Sequence, residues 1–256
     1  MTSAKRRVRL FAQRFGVDIH RYFPMADVDV RRERMMRALH ARTVVDVGAN
    51  EGQYGHRLRE SGFRGRIISF EPQAAAFAVL QSACNADPDW TCFKLALGEG
   101  NASVEIHVAA NSRSSSLLPM ARRHLEATPQ SRYVGTEQVR LARLDSLADE
   151  LELMTPIYLK LAVQGLEMAV LRGVGDLVER VAIVECELST KTLYEGQSLY
   201  REVIDTLDGL GFDLATIEEG LLDHRLGQVL QLDAIFVRRS LSAEGGEAGG
   251  QHHGEG

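Results

Sequence analysis

Cysteine is nearly absent. Cys84, Cys92 and Cys186 are the three in 256 residues, an odd number with no CxxC spacing. That speaks against a disulfide framework or a thiolate zinc site and fits free thiols in a reducing compartment. No run approaches the roughly 18 continuous apolar residues of a membrane span. The basic N-terminus lacks the apolar core of a secretory signal, so the cytoplasm is the expected location. No aromatic ladder interleaves the arginines, which makes nucleic acid a disfavoured partner. No internal repeat is visible.

What is present suits a globular protein, with 45% hydrophobic and 25% charged residues. A chain of this size buries roughly 70–75% of its unfolded surface and needs no staple. Charge is unevenly spread. Residues 1–40 hold ten Lys/Arg against four acids, although the net charge is −5. Two readings stay open: a patch for a polyanion, a membrane surface or a polar polymer, or two solvated helix faces. The expected division is a basic helical appendage over 1–40, one domain over 41–239, and a disordered Gly/Glu-rich tail over 240–256. His252 and His253 in that tail are read as inert.

Between Thr43 and Arg239 apolar strands alternate with helices. Strands are expected at 43–47, 66–70, 91–97, 103–108, 156–161, 181–186 and 233–237. Helices are expected to about Glu60, at 74–86, at 165–172 and at 197–210. Continuous apolar strands alternating with helices predict an α/β domain with a mostly parallel sheet covered on both faces. The first forty residues are expected as helices packed on one edge.

The most informative segment is Val44-Val45-Asp46-Val47-Gly48-Ala49-Asn50-Glu51-Gly52, a strand that ends in a glycine-containing turn and opens a helix. Such a turn aims backbone N–H groups at a ligand. Ile67-Ile68-Ser69-Phe70-Glu71-Pro72 then ends a second strand in an acid, where this fold accepts hydrogen bonds from ribose hydroxyls. The dinucleotide fingerprint G-x-G-x-x-G reads Gly48, Asn50 and Gln53 here. Two of its glycines are missing, which favours S-adenosylmethionine over a nicotinamide dinucleotide. An ordinary tight turn remains the bland alternative.

Together with this turn, the segments IISFEP, LALGEG, LARLDSL, YLKLAVQGLEMAVLRG and VAIVECEL resemble the FkbM family of S-adenosylmethionine-dependent O-methyltransferases, from about Thr43 to Arg239. The resemblance implies a Rossmann-like class I methyltransferase fold with a seven-stranded sheet, and a sugar or polyketide hydroxyl as acceptor. A place in methylated polysaccharide or glycolipid synthesis is one such expectation. Carried over, Gly48, Asn50, Gly52 and Gln53 surround the methionine moiety, Glu71 binds the ribose, and Ala96 and Leu97 flank adenine. Asp46, Tyr54, Pro72 and Ser115 complete the expected cofactor set. The loop Ser114–Ser116 either closes over the ligands or is simply solvated.

One departure stands out. After the fourth strand the family reads Leu-Lys-(Ile/Leu)-Asp-Val-(Glu/Gln)-Gly, and this chain has Leu159-Lys160-Leu161-Ala162-Val163-Gln164-Gly165. Alanine can neither ligate a cation nor take a proton. It fits a naturally inactive relative or an introduced substitution, and Gln164, Gly165 and Glu167 around it keep the pattern. An alcohol needs a base or a metal to become a nucleophile at neutral pH. Glu187, at the end of Glu185-Cys186-Glu187, is the expected base or metal ligand, with a structural ion pair as the alternative. Magnesium would sit between Glu187 and position 162. Lys160 pairs with an acid such as Glu185 or touches the substrate, and Gln164 belongs to the same catalytic set. Asp145 reads as a helix N-cap. His224 and Asp233 lie towards the substrate side, and His56 and His107 read as structural. The expected partner is a small-molecule or oligosaccharide acceptor, with a homodimer possible. A non-catalytic cofactor-binding relative and a nicotinamide oxidoreductase remain as competing functions.

Overall fold

The structure is a computed structural model that describes residues 3–19 and 23–241. His252, His253 and nearly all of the expected tail lie outside the described residues. Two helices come first, α1 (Ser3–Gln13) and α2 (Val28–Ala38). Asp27 caps α2, its carboxylate accepting the Asp29 N–H at 2.9 Å. Then follow β1 (Thr43–Val47), α3 (Gln53–Glu60), β2 (Arg66–Phe70), α4 (Ala74–Asn85), β3 (Trp90–Phe93), β4 (Ala96–Leu97), β5 (Ala102–Ala109), α5 (Arg122–Ala127), β6 (Tyr133–Ala142) and α6 (Ala148–Leu151). The last part runs β7 (Ile157–Leu161), α7 (Glu167–Val174), β8 (Val181–Ser189), α8 (Tyr200–Gly209), β9 (Phe212–Glu219), β10 (Leu222–Asp223), β11 (Gln228–Val229) and β12 (Gln231–Arg238).

Seven strands form the main sheet in the order β3-β2-β1-β7-β8-β12-β9. All neighbours are parallel as far as β8, and β12 runs antiparallel between β8 and β9. From β1 the chain works outwards to one edge, then returns to β7 beside β1, passes through β8 to β9 at the other edge, and inserts β12 last between β8 and β9. The reversal at β7 opens a crevice at the carboxyl ends of β1 and β7. Side-chain alternation gives each face its own core. Val47, Phe70, Leu161 and Cys186 pack with Val170 of α7 and Leu207 of α8. Val44, Ile67, Tyr158 and Ile183 pack with Met36 of α2, Leu58 of α3 and Leu80 of α4.

The sheet has the expected number of strands but not the expected members. Segment 91–97 splits: β3 ends at Phe93, and Ala96–Leu97 pairs with β6. Segment 103–108 lies in β5 of a separate three-stranded sheet, order β4-β6-β5. The seventh main strand is β9, a segment for which the sequence pattern predicts no element. Leu241, at the start of the tail expected to be disordered, packs partly buried against the α2 side of the core.

The second basic helix is not packed on an edge. It lies across the sheet face, and Arg32 reaches under the crevice to Glu185 with two hydrogen bonds, Nε to Oε2 at 2.9 Å and Nη2 to Oε1 at 2.6 Å. Burial alone would raise the Glu185 pKa, but the Arg32 guanidinium overrides it and holds the carboxyl below its usual value. A carboxylate stabilised in this way supports the fold above its unfolded pKa and loses that support as pH falls through the folded value. Replacing Arg32 with methionine strands a buried charge. It is expected to cost about 3–5 kcal/mol in urea unfolding at neutral pH, with the gap to wild type closing as Glu185 is protonated in acid. An equal urea midpoint at neutral pH would show that α2 is dispensable to the fold.

Candidate active site

At the end of β1 the chain turns through Gly48, Asn50 and Gly52 with φ of 79°, 50° and 90°. A Cβ on Gly48 would stand 2.1 Å from the Ala162 carbonyl oxygen, so only glycine lets this turn lie against the end of β7. Asn50 adopts the left-handed region that asparagine tolerates. The N–H groups of Gly48 and Ala49 donate to the Phe70 carbonyl, both at 3.0 Å. Glu71 completes the fastening: Oε2 accepts the Asn50 N–H and Oε1 the Gln73 N–H, each at 2.8 Å. Burial pushes the Glu71 pKa up against the pull of these donors.

The serine loop closes one side. Asn50 Nδ2 donates to Ser112 Oγ at 3.0 Å, and Ser115 Oγ donates to Gln73 Oε1 at 2.9 Å. Ser116 Oγ donates to the Gln164 carbonyl at 2.8 Å. Ser114, Ser115 and Ser116 are buried, so the loop is not a solvated one. Phe70, Leu95, Ala96, Leu97 and Ile106 line an apolar wall, and the cleft encloses about 440 Å³, within the range of small-molecule sites.

The floor carries a row of polar side chains in register. Ser69, Asp46, Lys160 and Glu185 are neighbours across β2, β1, β7 and β8. Lys160 Nζ lies 3.1 Å from Asp46 Oδ1. The expected Lys160–Glu185 pair is therefore corrected. Glu185 is already held by Arg32 and by the hydroxyls of Tyr54, at 2.6 Å, and Tyr158, which leaves Asp46 to Lys160. Asp46 is fully buried beneath the cleft and outside its lining. Gly52 also faces inwards, towards Leu80 and Trp90. Both shape the turn from below.

Two residues further along the strands a second acidic row lines the cleft. Glu187 of β8 pairs with Asp233 of β12, which pairs with Glu218 of β9. Glu187 Oε2 accepts Gln164 Nε2 at 2.6 Å and Gln231 Nε2 at 3.1 Å. Gln164 is oriented in turn by the Tyr194 hydroxyl, 2.7 Å from its Oε1. Burial, then the Asp233 charge, raises the Glu187 pKa well above the carboxylate range. Asp233 is raised too, by burial first. Glu167 accepts N–H groups from Val163 and Gly165 at 3.2 and 3.3 Å, and burial lifts its pKa to about 6.

Ala162 also lines the cleft, one residue past the Leu161–Cys186 pair and so towards Glu187. It supplies no donor atom. Among the described residues no three of His, Cys, Asp and Glu are grouped to hold a metal ion. With Glu187 engaged by two amides, the residues present do not fit the expected magnesium. Asp145 is not a helix cap but takes both ends of the Arg143 guanidinium. His224 lines a separate depression, His56 stacks edge-on against Trp90, and His107 stacks on Tyr133. Arg32, Gln73, Tyr194, Glu218 and Arg113 of the cleft or its support went unmarked in the sequence. Only Gln73, two residues after Glu71, carried a positional signal.

The FkbM methyltransferase domain matches residues 46–214. The chain belongs to the FkbM methyltransferase family. It is therefore an S-adenosylmethionine-dependent methyltransferase on the α/β fold described above. The 2-O-methyltransferase NoeI of Sinorhizobium fredii (strain NBRC 101917 / NGR234) is 24% identical over 170 residues, 64% of this chain and 70% of that protein. Among solved structures, a methyltransferase FkbM from Methylobacillus flagellatus KT is 12% identical with a TM-score of 0.45, over 76% of this chain and 43% of that one. This chain thus spans less than half of the Methylobacillus protein. An S-adenosylmethionine-dependent methyltransferase from Mesorhizobium loti is 13% identical with a TM-score of 0.44, over 84% and 100%. No helix among the described residues is long and apolar enough to cross a membrane.

Proposed function

We propose that the chain methylates a saccharide hydroxyl, with Glu187 receiving the hydroxyl proton. The observation that carries this reading is Glu187 itself, a carboxylate in the cleft, fixed by two amides and raised in pKa by burial and Asp233. Its raised basicity suits proton abstraction from an alcohol. When bound, S-adenosylmethionine would supply an electrophilic methyl group on sulfur for transfer to the acceptor oxygen. The chain's own residues hold the reactants. The polar turn of Gly48, Asn50 and Gln53 suits the methionine end, and Glu71 beside Pro72 suits the ribose hydroxyls. The apolar wall of Ala96 and Leu97 suits adenine, with Ser115 bracing the loop at its edge. The row Glu187–Asp233–Glu218 presents acceptors to the several hydroxyls of a sugar, and the name of the 2-O-methyltransferase relative supports transfer to oxygen. The free thiols fit a reducing cytoplasm.

A second reading is favoured by Ala162. The resembling pattern has aspartate there, and a chain without it fits a binding protein that has lost turnover. Ala162→Asp separates the two. If the missing acid orients the acceptor, transfer to a monosaccharide panel is expected to rise by about 10²–10⁴-fold, with little change in S-adenosylhomocysteine affinity. Equal activity in both forms would leave Glu187 to carry the chemistry. Equal inactivity with cofactor bound would favour the binding protein.

Glu71→Ala is expected to weaken S-adenosylhomocysteine binding by about 1.5–3 kcal/mol in calorimetry, as for a lost charge-assisted hydrogen bond. An unchanged Kd in a folded variant would remove Glu71 from the ribose site. The role of Glu187 has a pH signature. A base must be ionised, so the rate should climb as pH rises through a pKa above the usual carboxylate range. Asp233→Asn removes a repelling charge and should move that limb towards acid, whereas Glu187→Gln should abolish it. A limb that ignores Asp233→Asn would assign the titration to another group.

A further inference from the structure

We infer that α1 is a peripheral anchor for an anionic lipid surface. In α1, Ala4, Val8, Phe11 and Ala12 recur at i, i+4, i+7 and i+8, which is one helical stripe. Phe15, just past the helix, continues it, and its ring meets Phe11 edge-on with centroids 5.3 Å apart. The stripe does not face the core. Val8 is 57% exposed, Phe11 63% and Phe15 72%, and neither sheet face counts an α1 residue in its packing.

The charges complete the pattern. At 100° per residue, Lys5 and Arg9 border the apolar stripe on one side and Arg7 and Arg14 on the other, with Arg6 behind. Leu10 lies among the cations and is the one large apolar side chain off the stripe. The helix contains no acid, although the chain as a whole carries −5. Among the described residues Arg9 alone of these five cations forms an ion pair, with Asp18. An exposed apolar stripe flanked by cations matches the interface of an anionic bilayer, where rings enter the acyl boundary and guanidinium groups stay with the phosphates. A nucleic acid would use the cations but has no place for Val8, Phe11 and Phe15. A second copy of the chain would cover the rings and set cation against cation.

The test is co-sedimentation of the full chain with phosphatidylcholine vesicles, with and without phosphatidylglycerol, at low and high salt. Binding is expected only with phosphatidylglycerol and weaker in high salt. Phe11→Glu should lower the partition coefficient by about tenfold or more, and Arg7→Ser and Arg14→Ser by roughly fivefold each. The melting temperature should not move in any of these variants, since α1 lies outside both cores. Failure to pellet with either vesicle would overturn the proposal, as would equal binding to both. So would a dimer in light scattering that Phe11→Glu dissolves. Salt-sensitive binding to an RNA or DNA duplex that survives Phe11→Glu, without vesicle binding, would reassign the helix to a polyanion. None of these readouts depends on methyl transfer.

Discussion

A carboxylate taken out of water must find its counter-charge inside the protein, and Glu185 finds it in Arg32, 153 residues earlier in the chain. Around that pair the Tyr54 hydroxyl of α3 and the Tyr158 hydroxyl of β7 close on the same carboxylate. One acid thus ties α2, α3, β7 and β8 together directly beneath the crevice. Such a cluster adds little net stability over an apolar core, but it is unforgiving of a missing member. Its use here is positional. It fixes Tyr54 as the floor under the turn and engages Glu185, so that Lys160 turns to Asp46 instead.

The two acidic layers then divide by their partners. In the lower layer Asp46 and Glu185 face Lys160 and Arg32, and burial is offset by charge. In the upper layer Glu187 has two amides and Asp233 beside it, and burial raises both carboxyls. The register sets the next residues of the same face two positions further along, where the pull of Lys160 no longer outweighs burial. The cleft therefore presents acids raised by burial above Glu185, which Arg32 holds down.

The turn after β1 and the acid ending β2 were legible because both are local: a strand, a glycine and a carboxylate at a fixed spacing. The parallel core was legible for the same reason, because strands buried on both faces are apolar throughout. β9 was not. All seven of its residues after Phe212 are exposed or half-buried, so FDLATIEE shows no strand-like apolar run. β6 is similarly polar, and its sheet forms only when β4 and β5 come to it from elsewhere in the chain. Arg32 looked like one more charge in a basic segment, because nothing near it names a partner 153 residues away. Of the two readings of Lys160, an ion pair or a substrate contact, the structure shows an ion pair, with Asp46 in place of Glu185. In the sheet it has an acid on each side, and the choice between them depends on Arg32.

The serine loop and the Gly48 turn join the two sides of the cleft. Ser112 is joined to Asn50, Ser115 to Gln73 and Ser116 to Gln164, so a single loop touches the β1 turn, the segment after β2 and the turn after β7. Gly48 adds a fourth link through the close approach of the β1 turn to the Ala162 carbonyl. Gln164, at the end of this chain of contacts, holds Glu187 through its amide and is itself held by Tyr194. Three hydrogen bonds, Asn50 to Ser112, Ser116 to Gln164 and Gln164 to Glu187, and one packed carbonyl thus connect the β1 turn to Glu187. Methyl transfer demands that a nucleophile and an electrophile meet in line at contact distance, and small displacements are costly. The cleft is cross-braced from both halves of the sheet, and Ala162 lies where the braces converge.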